Sequence, residues 1–281
     1  MNVAALRLLR YACVLTLATS SLARAGSLLT DSPTMLSNWS VLSGSFVSVQ
    51  DNSFEPASTS ATYRMFISYG SGNVAEAPSL ANVSAFVGAN VNIGGTALDA
   101  GGAVEGSATS QTFSGHAGDV VTFSYDFLTG AEAELSLYPP ADLAVVEGSG
   151  AKFADDYAFV AITHGGVTNV IRLADMLSPG YQDASALTNY VYSYDTGFQT
   201  FSLTLPAGLN LADTSYTISF GVMDGGTPAQ PVHGEESALL LESLDLNSPQ
   251  AVPLPSSCVA GAVLFSALAV YRRGKRLHKY L

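Results

Sequence analysis

The chain has 281 residues, with 11 lysines and arginines against 23 aspartates and glutamates, and its net charge is −12 at pH 7. A surface this acidic repels phosphate backbones, which excludes nucleic-acid binding as a function class. The two cysteines, Cys13 and Cys258, both fall in the terminal segments described below, so the rest of the chain has no disulfide to hold it together.

Residues 1–25 have the organisation of a secretory signal peptide. Two arginines are followed by an apolar core that ends at Leu22. After this core come Ala23 and Ala25, which form the A-x-A pattern that signal peptidases cut. The exported chain is therefore predicted to begin at Gly26, and the alternative is an uncleaved N-terminal anchor.

Setting both terminal segments aside makes the remaining chain much more acidic. Residues 26–250 hold three basic residues, Arg64, Lys152 and Arg172, against all 23 acidic residues, so this stretch carries a net charge of −20. Such a charge favours a soluble protein held in a matrix, and it attracts divalent cations. The stretch is long enough to fold on core packing alone, since all-β domains run to about 200–250 residues.

Residues 26–247 are predicted to fold as one all-β domain, a single jelly-roll-like β-sandwich. Short runs rich in Val, Thr, Tyr and Phe alternate with clusters of Gly, Asn, Asp and Pro, and no segment has a sustained helical period. In one run Val121, Phe123 and Tyr125 share a face, because strand side chains alternate. The predicted strands are 39–49, 61–69, 80–88, 105–114, 119–128, 133–138, 156–163, 167–173, 188–194, 198–205, 214–223 and 237–246.

Three segments of this domain carry a resemblance to a known architecture. They are residues 39–45, which contain the single tryptophan Trp39, residues 111–125, and residues 237–246 with their run of leucines. Their order is similar to the jelly-roll of galactose-binding-like and carbohydrate-binding modules. That resemblance implies a sugar-binding domain, although Glu242 stands near the position where those modules carry Asp.

Tyr190, Tyr192 and Tyr194 alternate along the chain. In a strand all three rings would lie on one face, where they could form a stacking platform for sugars. Tyrosine is also a common strand residue on a half-buried face, and that alternative stays open. Trp39 is predicted to lie in the core.

Asp155 and Asp156 form a pair of carboxylates at the start of a predicted strand. Calcium takes six to eight oxygen ligands and tolerates loop geometry, so this pair is a candidate calcium site, and a solvated turn is the alternative. No other metal or cofactor is predicted, because the histidines have no ligand spacing.

No motif for catalysis occurs in the chain. Paired carboxylates serve glycosidases when they lie about 5–10 Å apart across a sugar, but an acidic domain contains such pairs by chance. The nucleophile pattern G-x-S-x-G is absent. We therefore predict that the protein is not an enzyme, and a matrix glycoside hydrolase is the alternative.

The C-terminus has three parts. Residues 248–257 are a linker that ends in a proline motif, and residues 258–281 comprise an apolar run to Tyr271 and a basic tail. The prolines prevent a helix from starting upstream, and the basic residues hold the tail on the cytoplasmic side of the membrane. The motif and tail residues are Val252, Pro253, Leu254, Pro255, Ser256, Arg272, Arg273, Lys275 and Arg276.

This order of motif, apolar run and arginine cluster resembles the PEP-CTERM sorting signals of bacteria, in their VPLP-type variant. The resemblance implies export, transient anchoring by a single transmembrane helix, and recognition by an exosortase-like processing enzyme. The apolar run has 14 residues, which reach about 21 Å as a helix against a hydrocarbon core of about 30 Å. So short a span fits a processed signal, and a plain C-terminal anchor is the alternative.

Together these features predict an exported, non-enzymatic protein of the cell surface or matrix, associated with exopolysaccharide or the cell envelope. It would cross the inner membrane and initially be anchored there by its C-terminus. The alternative is a carbohydrate-binding module with a defined sugar site and, with it, calcium.

The sorting signal makes a prediction about the mature C-terminus. Intact-mass spectrometry of the protein from its own cells should show chains that end before the apolar run, because the processing enzyme removes the tail. A mature protein that ends at Leu281 would contradict sorting and would favour the plain anchor.

Overall fold

A computed structural model describes residues 25–51, 61–68, 77–93, 105–129, 156–175, 178, 182–183, 192, 194–207, 214–224 and 237–248. Its strands are β1 (Ala25–Ser27), β2 (Ser40–Val41), β3 (Phe46–Asp51), β4 (Tyr63–Ser68), β5 (Glu105–Ser114), β6 (Val120–Thr129), β7 (Tyr157–His164), β8 (Val167–Asp175), β9 (Gln182–Asp183), β10 (Tyr194–Asp195), β11 (Gln199–Thr204), β12 (Ser215–Asp224) and β13 (Ser237–Asn247). A short 3-10 helix spans Met35–Asn38, and one α-helix, α1, spans Leu80–Val87.

The strands form two antiparallel sheets. The eight-stranded sheet has the order β3-β4-β13-β6-β10-β9, with β1 added to β13 and β11 added to β6. The five-stranded sheet has the order β2-β5-β12-β7-β8. The two sheets pack face to face, and the rings of Phe123 and Phe220 meet edge-on between them at 5.0 Å. The predicted all-β sandwich is therefore confirmed.

The core between the sheets follows from strand alternation. On β6, Val121, Phe123, Tyr125 and Phe127 all point into it, as their spacing predicts. Trp39 is also buried there, with its ring 6.1 Å from that of Phe220. Its placement in the core agrees with the prediction from sequence.

Strand β13 pairs with three strands in the eight-stranded sheet, as its neighbour β6 does. It pairs with β6 along its whole length, with β4 through Ala238–Leu241, and with β1 through Asp245–Asn247. One edge of β13 is thus shared by two strands that come from distant parts of the chain.

The predicted strand 80–88 is wrong, because these residues form α1. Ser79 caps the helix by accepting a hydrogen bond from the Asn82 N–H, and Gly88 ends it with a left-handed φ of 81°. Val83 and Val87 lie one turn apart and pack on the outer face of the five-stranded sheet. Valine favours strands, and eight residues are too few to show a helical period.

The predicted strand 39–49 is divided into β2 and β3 by a turn at Gly44, where φ is 88°. The predicted strand 133–138 lies outside the described residues, as does most of 188–194. Within the described part of the chain no helix is both long and apolar enough to span a membrane. The predicted signal peptide, apart from Ala25, and the predicted C-terminal anchor both lie outside the described residues.

Asp31 ties the N-terminal segment to the start of β4. Its carboxylate accepts hydrogen bonds from the Thr62 N–H at 2.9 and 3.0 Å and from the Tyr63 N–H at 2.7 Å. The hydrogen bond from Thr62 is the main cause that lowers the pKa of Asp31, because it stabilises the charged form.

We expect Asp31→Asn to destabilise the fold at neutral pH by no more than about 1 kcal/mol, because the carboxylate is exposed. Since the folded pKa is lowered, this stabilisation is present above the unfolded pKa and is lost as the pH falls through the folded value. Urea unfolding of both proteins from pH 7 to pH 2 measures the difference. A difference that persists undiminished at pH 2 would contradict the role of the charge.

Candidate functional site

The outer face of the eight-stranded sheet has two unlike halves. Near the start of β13, the outward residues of β4, β13 and β6 are buried, and most of them are apolar or charged. Toward the end of β13 the outward residues are short, polar and open to solvent. We call the first group the ionic cluster (Arg64, Asp126 and Glu242) and the second the hydroxyl face.

A β-bulge brings Glu242 to the outer face. The register of β13 against β6 shifts between Leu241, which lies opposite Tyr125, and Ser243, which lies opposite Ser124. Glu242 is therefore the extra residue of the bulge. Leu241 and Leu244 both remain in the core, so the bulge keeps the apolar pattern intact and turns a carboxylate outward.

Arg64 and Glu242 form a buried ion pair. The Nη2–Oε1 distance is 3.6 Å, and their side chains are 0% and 1% exposed. This distance is that of an ion pair and too long for a hydrogen bond, and neither Glu242 oxygen accepts a hydrogen bond from the described residues. The Arg64 guanidinium also lies 5.2 Å from the centre of the Phe198 ring, which adds a cation–π contact.

Asp126 fixes the segment that covers the cluster. One of its oxygens accepts hydrogen bonds from the N–H of Thr196 at 3.1 Å and from its hydroxyl at 3.0 Å. The Thr196 hydroxyl in turn accepts the N–H of Phe127 at 3.0 Å. This segment is thereby held against β6, and it places Phe198 over Arg64.

The ionic cluster also acts on a neighbouring tyrosine. Burial first, and then the charge of Asp126, raises the pKa of Tyr125. Its phenol donates a hydrogen bond to the Leu173 carbonyl at 3.0 Å.

The predicted tyrosine platform does not match the placement of Tyr192. This side chain is only 4% exposed and its ring meets Phe66 edge-on at 6.3 Å, so it offers no open plane to a sugar. Tyr194 begins β10 and is half-buried, and Tyr190 lies outside the described residues. Ring burial on the outer face explains the difference, because Tyr192 packs with Leu128 and Leu240 there.

The hydroxyl face extends over β1, β13, β6 and β11. Strands about 4.8 Å apart make it about 14 Å wide. Its side chains are neutral apart from one aspartate, and Thr122 and Ser202 are joined by a 3.0 Å hydrogen bond. The members are Ser27, Thr122, Ser124, Thr200, Ser202, Thr204, Ser243, Asp245 and Asn247.

Both arginines among the described residues form ion pairs with carboxylates. Arg64 is fully buried. Arg172 is bonded to Asp175 at 2.9 Å, its side chain is 16% exposed, and its guanidinium lies 4.5 Å from the centre of the Tyr157 ring. The described ranges contain no lysine, so this part of the surface presents acids without exposed fixed cations.

Some of the remaining predicted site residues lie within the described part of the chain, and others lie outside it. Asp156 is buried, and one of its oxygens accepts a hydrogen bond from Ser237 at 2.8 Å, whereas Asp155 lies outside the described residues. No group of three potential ligands that could hold a metal occurs in the described ranges. Of the cleavage residues, Ala25 and Gly26 lie in β1, and the whole sorting motif lies outside.

The sequence interpretation missed the Arg64–Glu242 pair. A signal for it was present, because Glu242 directly follows a run of four apolar residues, Ala238–Leu241, inside the predicted strand. An acid inside such a strand indicates either a bulge or a buried partner. Arg64 is one of only three cations in 26–250, which made it the natural candidate for that partner.

Searches against family models and against curated proteins found no match. Solved structures with related architecture include TmCBM61 in complex with β-1,4-galactotriose, at 9% identity, coverage of 79% of this chain and 99% of that one, and a TM-score of 0.36. The K1 cleaved adhesin domain of Lys-gingipain from Porphyromonas gingivalis W83 has 10% identity, coverage of 82% and 99%, and a TM-score of 0.40. Likenesses this distant identify neither a family nor a ligand for this chain.

We expect Arg64→Met to destabilise the domain by about 3–5 kcal/mol, because it leaves the Glu242 carboxylate buried without its counter-charge. The double variant Arg64→Met, Glu242→Leu should recover most of this loss, since it removes both charges. Urea unfolding midpoints of the wild type, both single variants and the double variant complete the cycle. Additive losses in the double variant would show that the two side chains are not coupled.

Proposed function

We propose that the protein is exported across the inner membrane, sorted through its C-terminal signal, and displayed at the cell surface or in the matrix, where it associates with polysaccharide without enzymatic activity. The observation that supports this most is the hydroxyl face, an open sheet surface made almost entirely of short hydroxyl side chains. Such groups donate and accept hydrogen bonds, as sugar hydroxyls do, and they lose little conformational entropy when a ligand covers them.

The charge of the domain limits the class of polysaccharide that it can bind. The stretch 26–250 carries −20, and the two described arginines are held in pairs. A uronate or sulfated polymer would be repelled by this surface unless divalent cations lay between them. The proposed partner is therefore a neutral exopolysaccharide.

A non-enzymatic role is consistent with the carboxylates of the outer face. Asp126 already accepts two hydrogen bonds from Thr196, and Glu242 faces Arg64. Both are buried under the segment that carries Phe198. Neither is placed to protonate a glycosidic oxygen or to activate a water at the open surface. Asp245 is the single carboxylate of the hydroxyl face, whereas a glycosidase uses two.

The test adds charge and bulk to the hydroxyl face. Thr200→Lys with Ser202→Lys should weaken retention of the protein in gels containing a neutral glucan or galactan by at least about fivefold, since one lost hydrogen bond is worth about 1 kcal/mol. The same two-charge change at exposed positions of the other sheet, Thr112→Lys with Val167→Lys, is the control and should leave retention unchanged.

Two outcomes would contradict the proposal. Equal retention of both double variants, with unfolding midpoints like that of the wild type, would mean that the hydroxyl face does not contact the polymer. Stronger retention of the wild type by alginate than by neutral polymers in the presence of a chelator would contradict the proposed ligand class.

A further inference from the structure

The predicted cleavage site lies inside a strand pair. In β1, Ala25 lies opposite Asn247, Gly26 opposite Leu246 and Ser27 opposite Asp245. The bond that signal peptidase would cut, between Ala25 and Gly26, is thus part of the ladder between β1 and β13. A protease binds its substrate as an extended segment that is not paired with another strand. It therefore cannot cut this bond while β1 is paired with β13.

The residues that follow the bond strengthen this attachment. The N–H groups of Leu28 and Leu29 both donate to the Leu244 carbonyl, at 2.7 and 3.3 Å, and the Ser27 hydroxyl donates to the Leu29 carbonyl at 2.7 Å. Leu29 is 4% exposed and belongs to the core between the sheets. Freeing β1 therefore means opening a ladder and withdrawing an anchoring leucine from the core.

The order of synthesis allows cleavage to come first. Ala25 and its partner strand are separated by the whole of the sandwich in sequence, and β13 is the last of the described strands. At a translation rate of about 5–20 residues per second, β13 follows the cleavage site by roughly 10–40 s. During that interval β1 has no partner strand, so the bond stays accessible.

We propose that signal-peptide cleavage precedes the docking of β1 on β13, and that signal peptidase cuts a chain that has folded first only slowly, during the intervals when β1 leaves β13. In the cleavage step water adds across the Ala25–Gly26 amide, which leaves a carboxylate on Ala25 of the released peptide and an amine on Gly26 of the mature chain. The freed N-terminal strand then completes the sheet. This inference rests on the proposed export signal.

The test locks β1 in place in the full chain, with Cys13 and Cys258 changed to Ser. Ser27→Cys with Asp245→Cys places two thiols at directly opposed strand positions, where a disulfide can form. Thr122→Cys with Ser202→Cys is the matched control, because those side chains also face each other and lie on β6 and β11. Unprocessed protein, purified in detergent and oxidised, is incubated with purified signal peptidase, and the new Gly26 terminus is followed by mass spectrometry.

We expect the 27–245 disulfide to abolish cleavage and reduction to restore it, while the control disulfide leaves the rate of its parent unchanged. Leu29→Asn, which weakens the attachment of β1, should be cut at least about tenfold faster than the folded parent chain. If that variant does not fold, comparing the cleavage rate of the locked chain before and after reduction still shows whether pairing of β1 with β13 blocks signal peptidase.

The outcomes separate the inference from the signal on which it rests. Measurable cleavage of the 27–245 disulfide form at the same rate as the control disulfide form would overturn the proposed order while leaving the signal peptide intact. No cut between Ala25 and Gly26 in any chain, even after reduction or unfolding in urea, would overturn the export signal itself.

Discussion

The bulge at Glu242 is the constraint on which the eight-stranded sheet depends. On one edge of β13, β4 pairs up to Leu241 and β1 pairs from Asp245. The bulge occupies the interval between them, where the Leu244 carbonyl receives the N-terminal segment. An uninterrupted alternation would turn either Leu241 or Leu244 away from the core. The extra residue keeps both in place, and its carboxylate then requires Arg64.

The need of the Glu242 carboxylate for a counter-charge also affects the charge of the domain surface. The stretch 26–250 has three basic residues, and the structure places two of them in pairs with buried or half-buried acids. A domain with so few cations uses them to neutralise carboxylates inside the fold, so few remain for the exterior. The surface chemistry is consequently that of acids and hydroxyls, which limits the polymers that the domain can approach.

Sequence reasoning located the long strands closely. Strands β5, β6, β12 and β13 lie within one residue of their predicted positions. In β6 and β12 the apolar side chains alternate regularly, and such alternation reports burial directly. The helix α1 was missed because two valines a turn apart also fit a strand. The ionic pair was missed although the sequence carried a signal for it, because a bulge changes which face a residue occupies and the partner is 178 residues away. The sequence left open whether Tyr192 lies on a sugar platform or on a buried face for a related reason: alternation shows which residues share a face but not whether another segment covers it.

The position of β13 also has a mechanical consequence. If the domain is tethered through the residues that follow Ser248 and loaded by polymer on its outer face, tension enters at Asn247 and runs along this strand. β13 is bonded to β6 on one side and to β4 and β1 on the other. Its ladder bonds would then be sheared together instead of being opened one by one, which is the arrangement in which antiparallel strands resist pulling most strongly.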